Sequence, residues 1–299
     1  MMNQYSEQIS SNKAAIRFDV FSKEKRDVLV QDSSFLNYRL AAVEISKNPT
    51  KQKADIVWNV DTAKKAISYN NGVLTLDGKW EEGELNKIMV TMLANEMDQV
   101  GLHPFHSSAV QYKGKLILIV GGENNHGKSM SQLEACRRGG KIFSTETTVT
   151  DEDGMALYGS TNIWMAKKRA KGTERSDLPD TDEGVLKFWD KQPEMSFVGG
   201  PLKIDFAFLP GIDGHFDTQV VPMGQYERAY QSYHSLMNFF GLNQLLSGED
   251  GLVMPIVDTP ERREARGKFC ADFVRDIPHF YMMRAKSPQL IFDEIDKML

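Results

Sequence analysis

The run Gly122-Glu-Asn-Asn-His-Gly-Lys128-Ser129 constrains this chain more than any other feature. The longest purely apolar run, Leu116 to Val120, lies just before it. Met130, Leu133 and Cys136 follow it at helical spacing. A continuous apolar run of that length reads as a strand buried on both faces, which points to an α/β layer. The glycines frame a G-x-x-x-x-G-K-[ST] pattern at the strand-to-helix turn. There, consecutive backbone N–H groups and a helix N-terminus face one point, as a phosphate requires. Lys128 would reach the β- and γ-phosphates as a flexible point charge. Ser129 would put its hydroxyl on Mg²⁺. The other reading is a glycine-rich turn with a surface lysine, because four fixed positions also arise by chance. The loop interior is bulky for such a site, although Asn tolerates left-handed backbone. His126 either touches a phosphate or faces solvent. The candidate nucleotide-binding residues are therefore Gly122, Asn124, Asn125, His126, Gly127, Lys128, Ser129 and Met130.

The surrounding pattern supports a strand–loop–helix unit. Ser108 to Tyr112 and Lys115 to Val120 flank Lys113-Gly114 as a hairpin. A helix is expected from about Lys128 to Arg138, ended by Gly139-Gly140, with a strand at Lys141 to Ser144. Further on, Leu202 to Leu209 and Phe280 to Met283 read as strands. Tyr226 to Phe240 and Glu261 to Val274 read as helices. Ser287-Pro288 opens a last helix through Leu299. Upstream, Ile16, Phe18 and Val20 alternate, Val28 to Val30 and Ile56 to Trp58 are short strand candidates, and Asn70-Asn71-Gly72 joins a hairpin. A helix from Glu82 to Val100 with Gly101 as its stop closes this part. The expected organisation is a β-rich portion with a helix over 1–95 and a phosphate-loop domain over 96–299.

Composition narrows the class. The chain has 299 residues, 41% hydrophobic and 26% charged, which suits a globular protein and not a coiled coil or a disordered chain. Net charge is −5, from 36 basic and 41 acidic residues, so no nucleic-acid partner is expected. No apolar run spans a bilayer and no secretory leader is visible, so neither membrane association nor export is expected. Cys136 and Cys270 form no metal pattern and read as thiols in a reducing cytoplasm.

Other segments carry weaker signals. Residues 166–182 are basic and then acidic, which suits either a loop closing over a ligand or a solubilising loop. Asp213-Gly-His215-Phe-Asp217 follows a strand but is too sparse for a metal site. Asp151, Glu152 and Asp153 read as a solvated turn or a substitute acid. Arg262, Arg263 and Arg266 read as a helix face or a phosphate-binding face.

The order of motifs over roughly 102–150 resembles the bacterial HPr kinase family. The residues carrying the resemblance are His106-Ser-Ser-Ala-Val110, Tyr112-Lys-Gly-Lys, the apolar strand, Gly122-x4-Gly-Lys-Ser, and Arg137-Arg-Gly-Gly-Lys-Ile-Phe-Ser-Thr145-Glu146. Ile277 to Arg284 and the terminal helix resemble the closing elements of that family. The first 100 residues do not look like the N-terminal domain of HPr kinases and fit shorter relatives better. The resemblance implies a phosphoenolpyruvate-carboxykinase-like P-loop kinase core, with a mixed sheet and flanking helices. It also implies ATP and Mg²⁺ as cofactors, and a hydroxyl acceptor on a protein, a peptide or a small metabolite. Catalytic roles would fall on His106, Lys128 and Glu146, and Mg²⁺ would be held by Ser129 and Glu146. The family tendency implies a homo-oligomer. Thr145 departs from the pattern, since relatives commonly carry Asp there. That departure keeps open a second reading, a nucleotide-binding protein without kinase activity. A carboxykinase-type lyase finds no convincing ligand cluster.

Overall fold

The computed structural model describes residues 2–24, 33–121, 126–166, 186–189, 195–240 and 245–299. The chain forms two compact units, one of Met1–Pro104 with Met237–Glu264, the other of Phe105–Leu236 with Ala265–Leu299. The sequence suggests a single change-over between 95 and 96; in the fold, the first unit also takes back a later segment. Val28 to Val30, expected as a strand, lies outside the described residues.

The first unit begins with β1 (Asn3–Ser11), β2 (Ala14–Ser22), α1 (Ser34–Arg39), β3 (Val43–Ser46), β4 (Ile56–Asn59), β5 (Ala66–Asn70) and β6 (Val73–Asp77). They form one sheet in the order β3-β1-β2-β4-β6-β5. On β2, Ala14, Ile16, Phe18 and Val20 are buried at every second position, as the alternation requires. Polar β1 shows no such signal; its place comes from pairing with β2 on one side and β3 on the other. The Asn70 hairpin turns through Asn71 (φ 51°) and Gly72 (φ 82°), both left-handed. Then α2 (Glu82–Gln99) buries Leu85, Ile88, Met89, Leu93 and Met97. Glu81 and Glu84 form a reciprocal capping box at its start. Short strand β7 (His103–His106) follows.

The second unit holds β8 (Ser108–Tyr112), β9 (Lys115–Ile119), α3 (Lys128–Arg137), β10 (Lys141–Ser144), β11 (Thr147–Thr150), β12 (Ala156–Gly159), β13 (Ile163–Ala166), β14 (Leu186–Trp189), β15 (Ile204–Ile212), β16 (Gln219–Pro222) and α4 (Gln225–Met237). The returning segment of the first unit carries β17 (Leu245–Ser247) and β18 (Leu252–Val253), and α5 (Pro260–Phe273) begins in it; β19 (His279–Ala285) and α6 (Pro288–Met298) complete the second unit. The main sheet runs β10-β8-β9-β15-β19-β16. Strand β15 is parallel to β9 and to β19, while β8, β10 and β16 pair antiparallel to their neighbours. This is a mixed α/β sheet, and its parallel centre is apolar on both faces, as with Ile117, Leu118 and Ile119. Ala135 of α3 and Ile291, Phe292 and Ile295 of α6 share one core cluster with the sheet.

Strand β15 runs beyond the expected Leu209 to Ile212, through Pro210. Phe208 accepts from Val120 N, so residues 208, 210 and 212 turn their backbone groups toward β9. Strand β9 has ended by then, so proline loses no partner, and Ile212 N donates to His126 O instead. Among the described residues no helix is long and apolar enough to cross a membrane. Cys270 is buried, and burial pushes the Cys136 thiol up to about 11.

Candidate functional site

The mixed sheet decides which loops meet. In a parallel sheet, ligands settle at the carboxyl ends of the strands. Strands β9, β15 and β19 all end on one edge. Because β8 is antiparallel to β9, and β10 to β8, the start of β8 and the end of β10 lie on that same edge. The register places Ser108 opposite Ile119 and Ser144 beside Ala109. Five sequence segments therefore reach one edge: 106–107, Gly121 after β9, 144–146, 213–217, and the turn after Ala285.

At the phosphate-loop position, Gly121 has φ 137° and Gly127 has φ 105°. Gly127 caps α3 from the left-handed region. A Cβ there would stand 2.6 Å from Ile212 Cδ1. The lysine that follows is buried, and its Nζ donates to Gly121 O at 2.6 Å. A donor anchored across the loop mouth keeps a positive charge where the helix dipole is also positive, an arrangement that suits an anion. Ser129 is exposed on the first turn, His126 is half-buried, and Met130 packs partly against the core. Gly122, Asn124 and Asn125 lie outside the described residues, as do 167–182 of the basic and acidic loop.

Beyond β10, His106 Nδ1 sits 3.2 Å from Glu146 Oε1, with both side chains largely buried. The contact is an ion-pair distance rather than an aligned hydrogen bond. Such contacts often tighten only when a substrate is bound. Ser107 N donates to Glu146 O at 3.0 Å, and Ser235 Oγ of α4 donates to His106 O at 2.8 Å. Gln132 of α3 reaches the same turn, its Nε2 donating to Ser144 O at 2.6 Å. It stands one helical turn after Lys128, so the face that carries the lysine looks toward the turn that carries Glu146.

Thr145 has no carboxylate to offer, and its hydroxyl is committed elsewhere. It bonds Asn162 O at 2.6 Å and Ser160 O at 3.0 Å. Asp213 lies on the same edge, its N–H donating to Ala285 O, while His215 and Asp217 are exposed. Among the described residues, no three His, Cys, Asp or Glu side chains converge on a point. A hydroxyl from Ser129 and a carboxylate from Glu146 are hard oxygen donors, the set Mg²⁺ takes together with phosphate oxygens. The residues present fit that ion.

Sequence reasoning missed Ser160, Gln132 and Ile212. Gly159-Ser-Thr-Asn162 does carry a turn signal. Nothing in one dimension shows that this turn folds back onto residues 145–147. No family model matches the chain, and no curated protein matches it.

Proposed function

We propose that this chain is an ATP-dependent kinase of the HPr kinase-like group, built on a phosphoenolpyruvate-carboxykinase-like core. It would transfer the γ-phosphoryl group to a hydroxyl acceptor, a serine of a protein or peptide or a small hydroxylated metabolite. One observation carries the reading. Lys128 at a left-handed glycine turn and the His106–Glu146 pair share one sheet edge, although the chain reaches it by separate strands.

Phosphoryl transfer asks little covalent chemistry of a protein; it needs positioning and positive charge. Lys128 holds the β- and γ-phosphates. Ser129 and Glu146 would hold Mg²⁺, which supplies charge neutralisation on the phosphate oxygens when bound. The acceptor oxygen forms a bond to the γ-phosphorus as the bond to the β-phosphate oxygen breaks and ADP leaves. The hydroxyl proton passes to the His106–Glu146 pair, with His106 also orienting the acceptor.

Thr145 favours a second reading, nucleotide binding without transfer, because a group that is hydrogen-bonded to carbonyls cannot act as a base there. A titration with ATP and Mg²⁺ tests the first step. Wild type should bind. Lys128→Ala should lose at least tenfold in affinity while remaining folded, and Glu146→Gln should lose the Mg²⁺ dependence. Wild type that binds no nucleotide ends the kinase reading. Binding with no transfer to any hydroxyl acceptor selects the second.

A further inference from the structure

Alongside Gln132 on Ser144 O and Ser108 Oγ on Thr145 O, a serine from beyond β12 grips the turn that carries Glu146. Ser160 follows β12 and is 1% exposed. Its Oγ accepts from Glu146 N and from Thr147 N, both at 2.9 Å. It also lies 3.0 Å from Thr145 Oγ1. Its backbone joins the same clamp: Thr145 N donates to Ser160 O at 2.8 Å, and Ser160 N donates to Thr147 O at 2.9 Å. Gly159 allows this approach, since a Cβ there would stand 2.2 Å from Ser144 Cβ and 2.8 Å from Thr147 O.

We propose that Ser160 is a positioning residue that acts through Glu146. A hydroxyl accepting two consecutive N–H groups fixes the backbone of residues 146 and 147, and with it the direction from which the Glu146 side chain leaves toward His106. This deepens the kinase reading, in which Glu146 serves both Mg²⁺ and the acceptor, and it explains the residue at 145. A carboxylate at that position would face the carbonyls of Ser160 and Asn162, so the clamp accepts a hydroxyl donor there and rejects an acid.

The test uses the full chain labelled with ¹⁵N at its six histidines, the His106 ring signals being assigned with His106→Gln. Glu146→Gln should move the His106 ring signals, because the neighbouring charge is gone. Ser160→Ala should move them in the same direction. The double variant should move them no further than Glu146→Gln alone, since both act through one group. Ser160→Cys keeps much of the buried volume but accepts hydrogen bonds poorly, so it should behave as Ser160→Ala. It carries the test if the alanine variant does not fold. His106 signals at their wild-type position in Ser160→Cys, or additive shifts in the double variant, would overturn the proposal. The readout needs no nucleotide. Loss of the kinase reading through absent ATP binding would therefore leave the clamp to be judged on its own.

Discussion

Gly127 carries two constraints at once. Its φ of 105° lies where a side chain is strained, and the space a Cβ would take is filled by Ile212. Backbone strain of this kind costs about 1–3 kcal/mol, and overpacking a similar amount. Gly127→Ala should therefore destabilise the protein by about 2–4 kcal/mol, read as a lower midpoint in urea. On the kinase reading proposed above it should also weaken ATP binding, because the N-terminus of α3 must shift. An alanine variant of wild-type stability would show that the glycine serves neither purpose. The glycine and the lysine were legible as a motif. Lys128 bonding Gly121 O was not, because a motif does not show where a lysine side chain points; Ile212 as the reason for glycine was not, because it is set by how β9 and β15 align.

At the scale of elements, α6 is tied to α3 and to the β8–β9 turn through Asp296. Arg138 bonds Asp296 and Asp293 at 2.8 Å, and Tyr112 and Lys113 also reach Asp296. Burial opposes ionisation of Asp296, but hydrogen bonds from Lys113, Tyr112 and Arg138 outweigh it and hold its pKa below the usual carboxylate value. A depressed folded pKa contributes stability that is present above the unfolded value of about 4 and is lost as pH falls through the folded value. Asp296→Asn should lower the melting temperature by roughly 2–4 °C near neutral pH. The gap to wild type should close below about pH 4, and a gap that stays constant down to pH 2 would refute the assignment. The helix itself was legible from Ser287-Pro288. Its anchoring was not, since Arg138 and Asp296 are far apart in sequence.

At the scale of the molecule, the return of Met237–Glu264 to the first unit is the main departure from a linear reading. That segment brings buried Phe239, Phe240, Leu246, Met254 and Val257. It also supplies Asp250 to Lys65 at 3.1 Å and Arg262 to Asn95 at 2.9 Å. Burying five such side chains contributes of order 10 kcal/mol, comparable to the whole stability of a domain. A fragment of Met1–Pro104 should therefore melt without cooperativity, and joining 237–264 to it through a glycine-rich linker should restore a sharp transition by circular dichroism. Equal melting of the two fragments would refute this division.

Residue order alone specified the local structure. The hairpins at Asn71-Gly72 and Lys113-Gly114, the helix starts and stops, the buried strand and the glycine before α3 all follow from periodicity and from residues whose backbone preferences are strong. The likeness that suggests a kinase comes from the same short range. Tertiary structure alone decided that β1, polar and unremarkable, pairs on both sides. It alone decided that β15 continues through a proline, that a later segment returns to the first unit, and that Ser160 holds the turn of Glu146. These depend on hydrogen-bond partners and close approaches distant in sequence, and a one-dimensional pattern carries no record of which distant residue will arrive.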